Sequence, residues 1–163
     1  MKNCEVALST TMVRAMANAP ALLRGYLDLT RAMKRSHIDR RIVERINLAV
    51  HEWLDCDYCL VAHTRAARQL GVPDSEIQLA RQGTSNDPAI AVIVAFAQQV
   101  LAAPAEIGDA DVARLHAHGY RDEQIAEVAG LVGLQLLTGA FNLIADIHAS
   151  GAALAELAAP PTT

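Results

Sequence analysis

Aromatic side chains are scarce in this sequence, with one Trp, three Tyr and two Phe among 163 residues. The apolar residues that make up 52% of the chain are therefore aliphatic, mostly Ala, Leu, Val and Ile. Ala and Leu stand near the top of the helix scale, and Ala lets helices approach closely, so the expected fold class is all-α. An excess of basic charge is also missing. Lys and Arg total 14 against 18 Asp and Glu, a formal net charge of −4, which argues against a nucleic-acid partner because such binders present a basic face. No uninterrupted apolar stretch approaches the ~20 residues of a membrane span. Nor does a charged start lead into a short apolar run with a small-residue cleavage site. The expectation is a soluble, cytoplasmic protein with no membrane partner.

Cysteine is nearly absent too. Cys4, Cys56 and Cys59 are odd in number and too few for a disulfide framework, which leaves one close pair and a stray near the terminus. With charged residues at only 20%, the composition argues against disorder over most of the chain. The length gives room for one helical domain, expected over residues 1–157, with a flexible tail at 158–163.

What is present is helical periodicity with clear punctuation. Apolar residues recur from Ser9 through Leu29 and are interrupted at Asn18-Ala19-Pro20, where Pro20 can open a second helix because its missing N–H is not needed there. Ser36, three residues before Asp39, resembles a capping pair and predicts a helix from about Ile38 to Leu54. Asp55 interrupts, and Cys56 to Leu70 resumes the pattern up to the expected stop at Gly71. Short helices are predicted near Ser75 to Arg81 and Asp109 to His118, with a buried helix from Pro88 to about Ala102. A last run from Asp122 reaches Ile147, with a break expected near Thr138 and Gly139. Displacing the chain by 83 positions sets Glu44 on Glu127, Leu48 on Leu131, Leu60 on Leu143 and His63 on Asp146. This suggests an internal duplication of a helical hairpin, coincidence between two Ala- and Leu-rich segments being the alternative. Because Gly139 and Asn142 then stand where Cys56 and Cys59 do, chemistry is assigned to the first unit.

The strongest chemical signal is Asp55-Cys56-Asp57-Tyr58-Cys59 with His63 four residues further on. Cysteines at i and i+3 are neighbours on the first turn of a helix and can form a disulfide with modest adjustment. The free N–H groups and positive end of that helix favour thiolates, lowering their pKa below about 8.5. His63 lies on the face of Cys59 and can take or return its proton. Glu44, before the reversal near Asp55, would come opposite His63 or the cysteines, and its burial is expected to raise its pKa. Its plainer role is a surface ion pair with Arg40 or Arg41. His51 shares roughly the face of Glu44 and is a weaker candidate. Tyr58 could shield the pair or pack at a subunit contact. Zinc on Cys56, Cys59 and His63 is a further option, although a structural site wants four ligands; no metal or cofactor is expected. Two inert core thiols are the bland alternative for the pair, and the polar flank of Asp55, Asp57 and Tyr58 argues against it.

Glu44, eleven intervening residues, Cys56-Asp57-Tyr58-Cys59 and Leu60-Val61-Ala62-His63 together resemble the active-site pattern of the alkylhydroperoxidase D-like and carboxymuconolactone decarboxylase superfamily. The resemblance extends from about Asn18 to Gly71. It implies the alkylhydroperoxidase D-like helical fold, thiol-dependent reduction of hydroperoxides, Cys59 as the attacking and Cys56 as the resolving thiol, and proton relay by Glu44 and His63. It also implies a homotrimer or homohexamer re-reduced by an external dithiol or a lipoyl- or thioredoxin-like protein. Some members carry a histidine where this chain has Tyr58, and the decarboxylase branch lacks the cysteine pair. A thiol-disulfide reductase or redox sensor is the alternative use of the same residues.

Overall fold

The structure is a computed structural model and describes residues 5–158. Among these the chain is helical, with no strand. The elements are α1 (Glu5–Met16), α2 (Pro20–Met33), α3 (Arg40–Trp53), α4 (Asp57–Gln69), α5 (Asp74–Arg81), α6 (Pro88–Ala102), a 3-10 turn (Pro104–Glu106), α7 (Asp109–Ala117), α8 (Asp122–Ile144) and α9 (Gly151–Ala158). Cys4 and the tail from residue 159 onward lie outside the described residues.

The sequence punctuation largely holds, with three corrections. Pro20 and Pro88 open α2 and α6, and the Asp87 side chain accepts from the Ala89 N–H at 2.9 Å. The cap of α3, however, is Asp39 and not Ser36: its carboxylate accepts from the Arg41 N–H at 2.8 Å, so the helix begins at Arg40. The expected break at Thr138-Gly139 does not exist, because α8 runs unbroken from Asp122 to Ile144. Packing explains this. Thr138 and Gly139 are both buried, and the contacts of α8 with α2, α3 and α6 outweigh the roughly 1 kcal/mol by which Gly disfavours a helix. The turn falls instead at Asp146, after which α9 forms, a helix the sequence did not announce.

α3 is the axis of the molecule. It packs against α4, α5, α6 and α8, and every residue from Val43 to His51 is buried. A helix buried all round must satisfy its polar groups internally. One guanidinium nitrogen of Arg45 pairs with Glu76 of α5 at 3.5 Å, while its Nε stays buried without a hydrogen-bond partner. The main core joins Ile46, Ala49 and Val50 of α3 to Ile93, Val94 and Ala97 of α6, Leu115 of α7 and Val128, Leu131 and Val132 of α8. α8 is long and apolar enough to cross a membrane by length and composition alone, yet here 44% of that stretch is buried inside the fold.

Two helix ends share one device. Asp55 and Asp146 both adopt φ 55°, and the following N–H reaches back to close each turn, Cys56 to the His51 carbonyl at 3.1 Å and Ile147 to the Asn142 carbonyl at 2.9 Å. Asp tolerates this left-handed conformation better than most residues with a Cβ. The first turn sets α3 and α4 antiparallel; the second brings α9 against α4 and Ile147 onto the cluster of Cys56, Tyr58 and Cys59.

Ile46 is fully buried at the centre of this arrangement. Ile46→Ala is expected to lower the unfolding free energy by about 2–5 kcal/mol in a urea titration with an unchanged slope. A loss under roughly 0.5 kcal/mol, the range of ordinary surface substitutions, would contradict a core centred on α3.

Candidate active site

Glu44, Asn47 and His51 stand at i, i+3 and i+7 of α3 and form one buried polar row. α8 presents a second row at the same spacing, Gln135, Thr138 and Asn142, also buried. The N-terminal half of α4 lies beside them with Cys59 and His63. A cavity of about 420 Å³ opens among these elements and is lined by Glu44, Asn47, His51, Cys59, His63, Gln135, Thr138 and Asn142, with Met12, Tyr26, Met33, Leu131 and Leu134 among its apolar walls and Lys34 and Arg40 among its charged groups.

Cys56 and Cys59 are joined in a disulfide with a Cα–Cα distance of 5.4 Å. Cys56 is the N-cap of α4, so the pair sits where the helix N–H groups and positive end face it. Both sulfurs are nearly inaccessible, but Cys59 lines the cavity and Cys56 does not. The Asn142 amide donates to Cys59 Sγ at 3.3 Å.

His63 meets Glu44 as the sequence led one to expect, Nδ1 lying 2.7 Å from Oε2. The Asn47 amide also donates to that carboxylate oxygen, at 3.4 Å, and Arg40 approaches Oε1 at 4.0 Å. The plain reading of Glu44 as a surface partner of Arg40 or Arg41 is corrected in part: Arg40 does approach it, but the carboxylate is buried. A carboxylate can only accept, so His63 donates through Nδ1 and is left with Nε2 as the proton-accepting atom of the neutral ring. The expected rise in the Glu44 pKa is overturned. Burial pushes it up, but His63, Asn47 and Arg40 outweigh this and hold the carboxyl below its ordinary range.

His51 enters the site more fully than its sequence position suggested. Its ring stacks on that of His63, with centroids 5.0 Å apart and planes 14° apart. Nε2 lies 2.9 Å from Gln135 Oε1, so it carries the proton, and Nδ1 is buried without a hydrogen-bond partner. Burial, reinforced by the charge of His63, pushes the His51 pKa down to about 3 despite the opposing bond to Gln135, so the ring is neutral near pH 7. Gly139 makes room for it: a Cβ there would stand 3.3 Å from His51 Nδ1 and 2.7 Å from Leu54 Cδ1. Among the described residues, the metal-ligating side chains whose donor atoms converge are His51, Cys56 and Cys59. The zinc set of Cys56, Cys59 and His63 is therefore not the one the fold assembles. Tyr58 packs its ring beside the disulfide with Met12, Met16 and Ile147.

Sequence reasoning missed the contribution of α8. Having assigned the chemistry to the first helical unit, it left out Gln135, Thr138 and Asn142. Their i, i+3, i+7 spacing in an otherwise apolar run repeats that of Glu44, Asn47 and His51 and was the available signal.

The stretch that builds most of this site, residues 20–99, matches the model of the carboxymuconolactone decarboxylase family. The backbone superposes on the alkylhydroperoxidase AhpD core of a peroxidase-related protein from Ralstonia eutropha JMP134 with a TM-score of 0.77, covering 85% of this chain and 76% of that one. Residues 20–99 thus carry the carboxymuconolactone decarboxylase family match, and the fold is that of the alkylhydroperoxidase AhpD core. At 21% identity the Ralstonia comparison establishes the fold alone. A peroxidase-related protein from Silicibacter sp. TM1040 is 25% identical with a TM-score of 0.65, covering 92% of this chain and 75% of its own. The protein YnjA of Escherichia coli (strain K12) is 26% identical over 121 residues, which are 72% of this chain and 66% of that relative. The chain thus spans just under two thirds of the length of this curated relative.

The neutral state of His51 has a measurable consequence. In the unfolded chain its pKa is the ordinary 6.5, whereas in the fold it is about 3. As pH falls through 6.5 the unfolded state takes up a proton that the native state does not, so stability falls with pH. Between pH 6.5 and 4.5 this amounts to roughly 2 kcal/mol, read by urea unfolding of the oxidised protein. His51→Gln is expected to flatten the slope in that window; an unchanged slope would mean that the ring is not held neutral.

Proposed function

We propose that this protein reduces hydroperoxides through the Cys56–Cys59 pair. The observation that carries the reading is that Cys59 and the Glu44–His63 pair line one cavity, with the second sulfur bonded directly behind Cys59. The peroxidase-related description of the Ralstonia and Silicibacter proteins points the same way.

In the reduced state the helix N-terminus and the Asn142 amide favour a thiolate at Cys59. The thiolate attacks the terminal oxygen of the hydroperoxide. The O–O bond breaks, and the leaving alkoxide takes from His63 Nε2 the proton that the Cys59 thiol passed to it on forming the thiolate; Glu44 orients the ring through Nδ1 and, as a carboxylate, stabilises it when charged. Cys59 is now a sulfenic acid. The Cys56 thiol displaces its hydroxyl as water and the disulfide forms. An external dithiol, either a small molecule or a lipoyl- or thioredoxin-like protein, returns two electrons and two protons by exchange. Exposed Leu136, Leu143 and Ile144 on α8 supply apolar surface for assembly into a homotrimer or homohexamer. Sedimentation as a monomer at micromolar concentration would remove assembly from this reading.

The test is peptide mass spectrometry of the fully reduced protein after one equivalent of an organic hydroperoxide. The wild type is expected to form the Cys56–Cys59 disulfide rapidly, Cys56→Ser to stop at an oxidised Cys59, and Cys59→Ser to leave the peroxide unconsumed. Glu44→Gln is expected to slow the first step by about 10²-fold or more while the protein stays folded. Full peroxide reduction by Cys59→Ser would end the mechanism. Thiols that survive peroxide yet exchange readily with dithiols would make the protein a reductase or redox sensor.

A further inference from the structure

His51, Cys56 and Cys59 are all buried, and a ring nitrogen of His51 and the two sulfurs lie within 4.8 Å of one another. Two features around this trio go beyond proximity. Gln135 Oε1 holds the Nε2–H of His51, so Nδ1 keeps its lone pair, and that nitrogen has no partner in the fold. The Asn142 amide donates to Cys59 Sγ. An imidazole fixed by a carbonyl oxygen on its far nitrogen, beside a cysteine sulfur that receives an N–H, is the outer-shell pattern that orients metal ligands. Two sulfurs and one imidazole nitrogen are a soft donor set suited to Zn²⁺.

We propose that the reduced protein binds Zn²⁺ through Cys56 Sγ, Cys59 Sγ and His51 Nδ1, with the fourth position facing the cavity that Cys59 and His51 line. Both sulfurs bind as thiolates, so binding releases to solvent whatever thiol protons remain and moves no electrons. The disulfide form offers no thiolate, so occupancy and oxidation exclude each other, and bound metal withholds the dithiol from peroxide. The inference requires that the disulfide be reducible but does not require peroxidase turnover, and the two readings therefore fail separately.

The experiment uses full-length protein carrying Cys4→Ser, reduced and then freed of reductant under anaerobic conditions. Titration with Co²⁺ is expected to give thiolate charge-transfer and tetrahedral d–d bands that saturate at one equivalent and are displaced by Zn²⁺. The disulfide form is expected to give none. Gln135→Met, which removes the amide oxygen at similar volume, is expected to weaken binding roughly tenfold, and His51→Gln to weaken it further. Circular dichroism and thermal midpoints of the disulfide forms check the folding of each variant. Zinc X-ray absorption of the wild type requires no variant at all: two sulfurs at about 2.3 Å and an imidazole nitrogen at about 2.0 Å are expected. Absence of the charge-transfer bands, a zinc shell without imidazole, or unchanged affinity in folded His51→Gln would each overturn the proposal.

Discussion

The polar row of α3 is the constraint on which the rest of the site depends. Glu44, Asn47 and His51 lie on the most buried helix of the fold, where a polar group left without a partner costs about 1–3 kcal/mol. Each therefore needs a partner, and for Glu44 and His51 it comes from a neighbouring element. His63 of α4 answers Glu44, Gln135 of α8 answers His51, and the Asn47 amide donates to Glu44 within the row. The packing of three helices around α3 and the orientation of two imidazoles are consequently one problem with one solution. Rings fixed in this way are preorganised, since ordering them has already been met by folding.

Two ionisable groups two turns apart on α3 end in opposite electrostatic states because their burial is compensated differently. Glu44 is buried next to an imidazole, an amide donor and a guanidinium, all of which favour its charge. His51 has one carbonyl acceptor and a neighbouring imidazole that disfavours a second positive charge. The result is a fixed negative charge at the His63 end of the site and a neutral nitrogen base at the sulfur end. Burial alone gives the wrong direction for Glu44, which is why the expectation built on burial failed: the partners, not the depth, decide the sign.

Much of the fold was legible because helix signals are local. Pro20, Pro88, Gly71 and Asp55 act within a turn of themselves, and the Ala- and Leu-rich runs between them have no competing pattern. The miss at Thr138-Gly139 was also local: both residues are poor helix formers, and only the long-range packing of α8 overrides them. The site divides along the same line. Cys56, Cys59 and His63 share one helix and Glu44 is one hairpin away, so their meeting follows from spacing. Gln135 and Asn142 reach the site only through tertiary packing, which no local pattern contains. The capping of α3 shows the same limit on a smaller scale, because Ser36 and Asp39 both have capping chemistry and only the geometry of the preceding chain selects Asp39.

The second polar row has a part in the site distinct from that of the first. The row at Gln135, Thr138 and Asn142 repeats the spacing of Glu44, Asn47 and His51, and each row is followed by the same left-handed aspartate turn, at Asp146 and at Asp55. Yet the two turns lead to different chemistry. After Asp55 comes Cys56 at the cap of α4, with Cys59 and His63 beyond it; after Asp146 comes Ile147, which packs its apolar side chain onto those cysteines. The second unit supplies no nucleophile and no charge to the site. What it supplies is two amides, one on His51 and one on Cys59, and the apolar cover that keeps water from the sulfurs. Neutral donors and acceptors suit that role, because they fix a base and a thiol in place without adding charge to the same cavity. A carboxylate at residue 135 would instead favour protonation of His51 and disfavour the thiolate nearby. The amides of Gln135 and Asn142 are therefore what allow a neutral His51 and a reducible cysteine pair to share one buried site.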